Sequence, residues 1–208
     1  ELDTLASSLA FQLSCKKHHI NPIIGKGISV AYNYNFDNQN EIPETFELKL
    51  YVKNKEGWKT LLNISKHVNV DFNKFIPFEF LSKYKTKDLI CVIPTESWFN
   101  FNIFNKDKAL AELNNLNKIF GKKNIYYQLD LSEYQNPEYD LEKLEIIKKY
   151  FSDFSDLIKP VYIQDTYVVD RKDRELKSFL NKISKKVSIT NYDCYLKSID
   201  EIFHSSVK

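Results

Sequence analysis

The chain has 208 residues, of which 43% are hydrophobic, 14% aromatic and 28% charged. This composition is typical of a packed globular domain and excludes a largely disordered chain. The formal net charge of +2 excludes strong attraction to nucleic acid through total charge alone. No apolar run approaches the roughly 18 residues of a membrane span. Three widely spaced cysteines are typical of a reducing compartment, so we expect a cytoplasmic protein without a membrane partner.

The first part of the chain alternates helical and strand-like patterns. Leucine and alanine residues three and four positions apart predict an amphipathic helix over 2–18. A strand-like run over 23–34 and a polar, hairpin-like loop over 35–44 come next. Apolar and polar residues alternate over 46–53, which predicts a half-buried strand, and an apolar stripe over 56–68 predicts a second helix.

The same alternation continues to the end of the chain. The remaining predicted elements are a helix or turn over 76–83, a buried strand over 89–93, a helix over 110–120, strands over 125–131 and 161–168, and helices over 141–151 and 176–183. Gly121 is placed to end the helix before it. We therefore expect an α/β fold with mostly parallel strands, arranged as a barrel or an open sheet.

Few motifs of known chemistry are present. The chain has no P-loop, no GxGxxG and no GxSxG, and its four glycines leave little material for loops that cradle phosphates. Cys15, His18 and His19 have zinc-ligand types at plausible spacing, but no second half of a site follows, and a cationic helix end explains them as well. Asp165, followed by Asp170 and Asp173, indicates either a catalytic pair of carboxylates or a helix cap.

A basic cluster lies in the last quarter of the chain. Its members are Arg171, Lys172, Arg174, Lys177, Lys182, Lys185 and Lys186. One interpretation is a solvated helix face, and the other is a patch that faces phosphates. In the second case the cluster would bind the DNA backbone without sequence specificity and in a salt-sensitive manner.

Several stretches follow one another in an order that one family shares. The matching stretches are 9–25, 48–65, 89–93, 120–127, 159–165 and 195–203. The most specific of them places Asn54, Gly57 and the pair Leu61-Leu62 at a characteristic spacing. Together they resemble the PHP domain of bacterial and phage replicative DNA polymerases, the polymerase III α-subunit family. The resemblance implies a distorted (βα)7 barrel over 1–190 that lacks its first motifs, and an exit segment over 191–208 toward a polymerase domain or a tail.

The resemblance also implies a divalent-metal site for phosphoester hydrolysis, and this chain departs from it. The family's glutamate falls at Gly27, one histidine falls at Tyr167 and a later histidine falls at Lys177, which would oppose a cation. Of the ligand positions that the resemblance implies within this chain, only Asp165 has a side chain that can bind a metal ion. The family's first two ligand motifs would precede Glu1. We therefore expect no cofactor; the alternative is a divalent ion (Mn, Zn or Mg) held with ligands outside this chain.

The preferred hypothesis is a PHP-like domain of a replicative DNA polymerase that is inactive as a phosphoesterase and serves as a scaffold. Its expected partners are the remainder of the polymerase, a proofreading exonuclease or another replication protein, and the DNA backbone. The chain has no methionine, which predicts either a segment of a longer protein or a trimmed chain, and it shows no complete catalytic site of its own. Two alternatives stay open: an active metal-dependent phosphoesterase or 3′–5′ proofreading nuclease, and an independent phage-encoded interaction protein.

Overall fold

The computed structural model describes most of the first three quarters of the chain and short pieces beyond. The described residues are 5–31, 34, 43–71, 74–84, 86–94, 97, 105–130, 137–163, 166, 169–173, 175, 176, 179, 183, 196–198, 200 and 201. Among them, no helix combines the length and the apolar composition needed to cross a membrane.

The helices of the described chain agree closely with the predicted ones. They are α1 (Ser8–Lys17), α2 (Lys55–Lys66), α3 (Phe78–Leu81), α4 (Lys106–Phe120) and α5 (Pro137–Ser152). Asn54 and Asn105 begin α2 and α4, because each side-chain oxygen accepts a hydrogen bond from a backbone N–H of the first turn. Gly121 ends α4 with a φ of 86°, a backbone conformation that glycine adopts without a steric penalty. A π-helical turn, His67–Asp71, extends α2.

Six strands form one mixed sheet. They are β1 (Gly25–Ala31), β2 (Thr45–Val52), β3 (Phe75–Pro77), β4 (Leu89–Ile93), β5 (Ile125–Asp130) and β6 (Lys159–Ile163), in the order β3-β1-β2-β4-β5-β6. The β1–β3 and β4–β5 pairs are parallel, whereas β2 is antiparallel to both of its neighbours. The predicted α/β class is therefore confirmed, and the expectation of mostly parallel strands is wrong at β2. Strands β1 and β2 follow one another in the chain and are also neighbours in the sheet. A direct connection between neighbouring strands makes them antiparallel, whereas parallel neighbours need a longer crossover connection.

One face of the sheet carries the main apolar core. Its fully buried members include Val30, Leu48, Leu50, Cys91 and Ile93, on strands β1, β2 and β4. Helix α2 contacts β2 and helix α4 contacts β4. Each buried leucine or isoleucine contributes about 1.5–3 kcal/mol relative to an exposed one. Burial also raises the pKa of the Cys91 thiol, which makes this cysteine an inert core residue.

The chain divides into two compact units. The first comprises Glu1–Tyr127 and Phe154–Lys159, and the second comprises Gln128–Asp153 and Pro160–Lys208. Within the second unit, the Tyr150 and Phe151 rings of α5 pack edge to face at 5.2 Å. The end of the barrel near residue 190 stays a prediction, because 184–195 lie outside the described residues.

Helix α1 confirms the predicted first helix but buries little of it. It ends at Lys17, and His18 and His19 follow, the latter with a φ of 57°. Leu9 and Leu13 are 66% and 59% exposed, and Cys15 is the buried residue of this helix. The apolar stripe read from the sequence therefore faces outward in the described part of the chain.

Candidate functional site

A row of four residues crosses the sheet on the face opposite the apolar core. In an antiparallel pair, directly opposed residues lie on the same face. Gly27 of β1 is opposite Lys49 of β2, and Lys49 is opposite Val92 of β4. Val92 is in register with Tyr126 of the parallel strand β5. We call these four residues the Gly27 row; all of them belong to the first unit.

Lys49 is the unexpected member of this row. Strand alternation predicts Lys49 on the polar side of a half-buried strand, yet its exposed fraction is only 5%. Lysine is almost never buried to this degree unless it is paired, and Lys49 has an interaction partner. The residue before Gly27, Lys26, is also buried, but it lies opposite Leu50 on the apolar face. Two buried lysines therefore flank the sheet from opposite sides.

A second group of polar contacts lies where β2 ends and β4 begins. The Asn54 side chain accepts a hydrogen bond from the Gly57 N–H at 2.9 Å and donates one to Asp88 Oδ1 at 2.7 Å. Asp88 O accepts from the Lys53 N–H at 3.1 Å. Lys53 Nζ donates to Asn124 Oδ1 at 3.0 Å. We call these five residues the Asn54 cluster.

The Asn54 cluster explains the most specific part of the sequence resemblance. A Cβ atom on Gly57 would lie 2.2 Å from Asp88 O, so only glycine permits this approach of α2 to the turn before β4. Asn54 caps the helix and ties it to the same residue. Leu61, four residues after Gly57, is fully buried. These motif residues therefore support the fold rather than chemistry.

Gly25, at the start of β1, has a similar structural role. A Cβ atom there would lie 2.5 Å from Tyr51 Cδ1 and 2.8 Å from Leu50 O. Gly25 and Tyr51 are directly opposed in the register, so the tyrosine ring occupies the space that a side chain would need. The glycine of the resembling Pro22–Gly25 stretch is thus required by packing.

Glu112 is a buried carboxyl group that sequence reasoning missed. It lies on α4 with an exposed fraction of 8%, and its Oε2 has no hydrogen-bond partner. Burial raises the pKa of this carboxyl group; nearby Lys108 partly opposes the shift, and Glu44 adds to it. A signal was present in the sequence, because Glu112 is three residues after Ala109 and four before Leu116, both buried.

The residues on the Gly27 row do not fit the divalent metal that the resemblance implies. A glycine offers no ligand atom, and a buried ammonium repels a metal ion. Within the described ranges, no three His, Cys, Asp or Glu side chains come together as a metal site, and this includes Cys15, His18 and His19.

The other predicted site residues lie largely outside the described chain. Asp165, Tyr167 and Lys177, which carry the remaining ligand slots, are among them. Arg171 and Lys172 of the basic cluster lie exposed in a short turn, where Lys172 Nζ is 3.5 Å from Asp170 Oδ2. The other basic residues, which are Arg174, Lys177, Lys182, Lys185 and Lys186, fall outside the described residues, so the phosphate-facing patch stays a prediction.

Comparison with known proteins adds one match. The family model of the PHP domain matches residues 2–132, well over half of the chain. The matched part contains both the Gly27 row and the Asn54 cluster, and it ends before the resembling stretches at 159–165 and 195–203. A search of curated proteins finds no relative that matches. Because the match spans most of the α/β sheet described above, the chain belongs to the PHP domain family, within the phosphoesterase superfamily.

Proposed function

We propose that this chain is a catalytically silent PHP domain of a replicative DNA polymerase, where it serves as a scaffold and a docking surface. The observation that carries the proposal is the pair formed by Gly27 and Lys49. Metal-dependent hydrolysis needs several convergent ligands around each ion. The resemblance implies a ligand at the position where this chain has Gly27, and the directly opposed residue of the next strand is the buried Lys49.

The contrast with the Asn54 cluster supports a structural role. The cluster keeps the motif residues that hold α2 against the start of β4, and it does so with several mutually satisfied hydrogen bonds. A domain that has lost metal ligands but kept its fold still has the outer surface with which a partner protein can interact. The polymerase context is supported by the order of the resembling stretches, including 195–203, which resembles the exit toward a polymerase.

The proposal is tested on the full-length protein that contains this chain. Metal content is measured after purification, together with Mn²⁺-, Zn²⁺- and Co²⁺-dependent phosphoesterase and 3′–5′ exonuclease activity; Asp165→Ala is the control variant. We expect no stoichiometric metal and no hydrolysis. Bound metal with hydrolysis that is lost in Asp165→Ala would sink the silent-domain proposal in favour of an active phosphoesterase.

Primer extension by the same preparation tests the polymerase context separately. DNA synthesis that persists in Asp165→Ala is expected if the chain is part of a polymerase. A preparation that neither extends a primer nor hydrolyses phosphoesters would contradict the polymerase assignment and favour the independent interaction protein.

A further inference from the structure

We propose that one end of the sheet in the first unit carries a lysine surface that binds the phosphate backbone of duplex nucleic acid. Three stretches form this end, 53–59, 86–88 and 118–124, and the structure describes every residue in them. They contain seven lysines and two carboxylates, an excess of five positive charges, whereas the whole chain has a net charge of +2. The lysine surface consists of Lys53, Lys55, Lys59, Lys87, Lys118, Lys122 and Lys123, all of them exposed. The inference goes beyond the proposed function, because it requires neither a silent metal site nor a polymerase.

The strand register brings the three stretches to the same end of the sheet. Val52, the last residue of β2, is opposite Leu89, the first residue of the antiparallel strand β4. Strand β5 is parallel to β4, so Ile125 begins it at that end as well. The short helical turn 86–88 contacts both α2 and α4, and its threonine hydroxyl donates a hydrogen bond to Ile119 O. The three stretches therefore form one continuous surface.

One asparagine groups four of these lysines. Asn124 Oδ1 accepts a hydrogen bond from Lys53 Nζ at 3.0 Å, and Asn124 Nδ2 donates one to Lys87 O at 3.0 Å. Lys53 Nζ also donates to Lys87 O at 3.4 Å. Lys122 and Lys123 directly precede Asn124 in a short helical turn. Lysines that are far apart in the sequence are therefore held side by side.

The positive charge of this group is largely uncompensated. The Lys53 ammonium donates to two neutral oxygen atoms, a backbone carbonyl and a side-chain amide. Of the two carboxylates in the three stretches, Glu56 pairs with Lys59 at 2.9 Å, and Asp88 Oδ1 accepts from a side-chain amide. Like charges held close together repel one another, and contact with a polyanion relieves this repulsion. The lysine surface is therefore suited to a polyanionic partner.

The side chains of the three stretches favour duplex nucleic acid among polyanions. Protein interfaces use aromatic, methionine and arginine anchors and are depleted in lysine, whereas these stretches contain no arginine or methionine, and none of their large hydrophobic side chains is exposed. Proteins that bind single strands stack the bases on aromatic side chains, but here Trp58 is half-buried and Phe120 is fully buried. Lysine ammonium groups contact phosphates as point charges and read no bases, so binding should be independent of sequence.

Lysine acetylation footprinting of the full-length protein tests the proposal residue by residue. The protein is treated with an N-hydroxysuccinimide ester of acetate, with and without a mixed-sequence DNA duplex of about two helical turns, and the acetylation of each lysine is measured by mass spectrometry. We expect acetylation of Lys53, Lys87, Lys122 and Lys123 to slow at least about threefold at about 50 mM NaCl, and this protection to be lost at about 200 mM, because phosphate binding weakens steeply with salt. The readout is local, so it reports on this surface even where another part of the protein binds DNA.

Lys106 and Lys108 are the matched controls. They are exposed in the first turn of α4, and the lysine surface lies at the other end of this helix. At a rise of 1.5 Å per residue, the helix separates the two groups by about 20 Å. Their acetylation should not change when the duplex is added. Equal protection of the control pair and the lysine surface would overturn the proposal. Protection by polyglutamate or by a single strand, but not by the duplex, would overturn it too, in favour of an acidic protein or a single-stranded ligand.

Variants that remove charge give a second measurement. Lys122→Gln/Lys123→Gln and the control Lys106→Gln/Lys108→Gln remove the same net charge from exposed positions. Binding of the fluorescently labelled duplex is followed by anisotropy at several NaCl concentrations. The first variant should lower the slope of log K against log [NaCl] by about 2, since each phosphate contact contributes about 0.9, and the control should leave the slope unchanged. Lys122→Arg/Lys123→Arg should bind as the wild type does.

A Lys122→Gln/Lys123→Gln protein that keeps the wild-type slope would contradict the proposal. Neither the footprint nor the slope depends on metal content or on phosphoester hydrolysis, which are the measurements that test the proposed function. The two proposals can therefore fail independently of each other.

Discussion

Two regions of β1 and β2, only two residues apart along each strand, have different relations to the family pattern. In the first region, Gly25 is directly opposed to Tyr51, whose ring fills the space beside it, and the Asn54 cluster follows directly after β2. At the Gly27 row, the expected carboxylate is missing and Lys49 is buried. The residues that agree with the family support packing and helix capping, and the residue that departs, Gly27, stands where the resemblance implies a metal ligand. The comparison teaches that the demands of the fold and of the chemistry fall on different residues and can be lost separately.

The largest effect should come from Gly57→Ala. Alanine is favoured over glycine inside a helix by about 1 kcal/mol, so a neutral site would be stabilised. Here the new Cβ would meet Asp88 O at 2.2 Å, and Asp88 O is a backbone atom that cannot turn away as a flexible side chain could. We expect a loss of about 3 kcal/mol in the free energy of unfolding, measured by urea denaturation.

Gly121→Ala is the control for that substitution. Its Cβ would meet no atom closer than 3.7 Å, but the φ of 86° is unfavourable for alanine, so we expect a loss of about 1 kcal/mol. A Gly57→Ala protein as stable as the wild type would show that the approach of α2 to Asp88 is not needed for the fold, and the contrast between the two regions would weaken.

A smaller effect is expected for Asn54→Ala. The substitution removes the cap on the Gly57 N–H and the hydrogen bond to Asp88 Oδ1, and we expect a loss of about 1–2 kcal/mol in thermal or urea unfolding. Asn105→Ala, at the start of α4, removes a cap at an exposed position and serves as the comparison. Equal losses at the two sites would mean that the bond to Asp88 adds nothing beyond capping.

The smallest effect is expected at Glu112, which belongs to neither region. Its pKa is raised by burial, so above the unfolded-state value of about 4.3 the folded protein binds more protons than the unfolded one. Stability should therefore fall as the pH rises from that value through the folded-state pKa. Glu112→Gln should remove this fall, as followed by urea unfolding at several pH values.

Glu56→Gln is the control for the pH series, because Glu56 is exposed and only pairs with Lys59 on the helix surface. Its pH profile should run parallel to that of the wild type. If Glu112→Gln keeps the wild-type slope, the carboxyl group at 112 is not the source of the pH dependence.

Local signals in the sequence were enough for most of the described helices and strands, but strand β3 (Phe75–Pro77) was missed, because its last two residues fall in the stretch 76–83 that was predicted as a helix or turn. Asn54 begins α2 and Gly121 ends α4. The backbone conformation at such helix ends depends on a few neighbouring residues, so it can be predicted from the local sequence. The direction of β2 was not predictable in the same way, because alternation indicates a strand without indicating its partners. The resemblance indicated that Gly27 stands at a position where the family has a metal ligand. The directly opposed residue, Lys49, could be identified only from the register of β1 and β2.

The burial of Lys49 and of Glu112 shows the same limit. A period-two pattern assigns Lys49 to the polar side of its strand, and polar is ordinarily read as exposed. Whether that side faces water is decided by strands and segments far away in the chain. Glu112 stands at helical spacing among apolar residues, yet a charged residue there is ordinarily read as an interruption of the apolar stripe.

Strand β2 extends beyond its register with the neighbouring strand β4, and one side chain hydrogen-bonds to the backbone of the extended part. The register of the two strands ends at Lys49–Val92, whereas Glu47 lies two residues beyond it. There the hydroxyl of buried Ser97 accepts from the Glu47 N–H at 2.9 Å and donates to the Glu47 carbonyl oxygen at 2.7 Å. Among the described residues, Ser97 thus hydrogen-bonds the backbone of Glu47 in the way that a neighbouring strand would. Because both the N–H and the carbonyl oxygen of Glu47 are engaged by Ser97, this position is disfavoured as a starting point for pairing with a strand of another molecule.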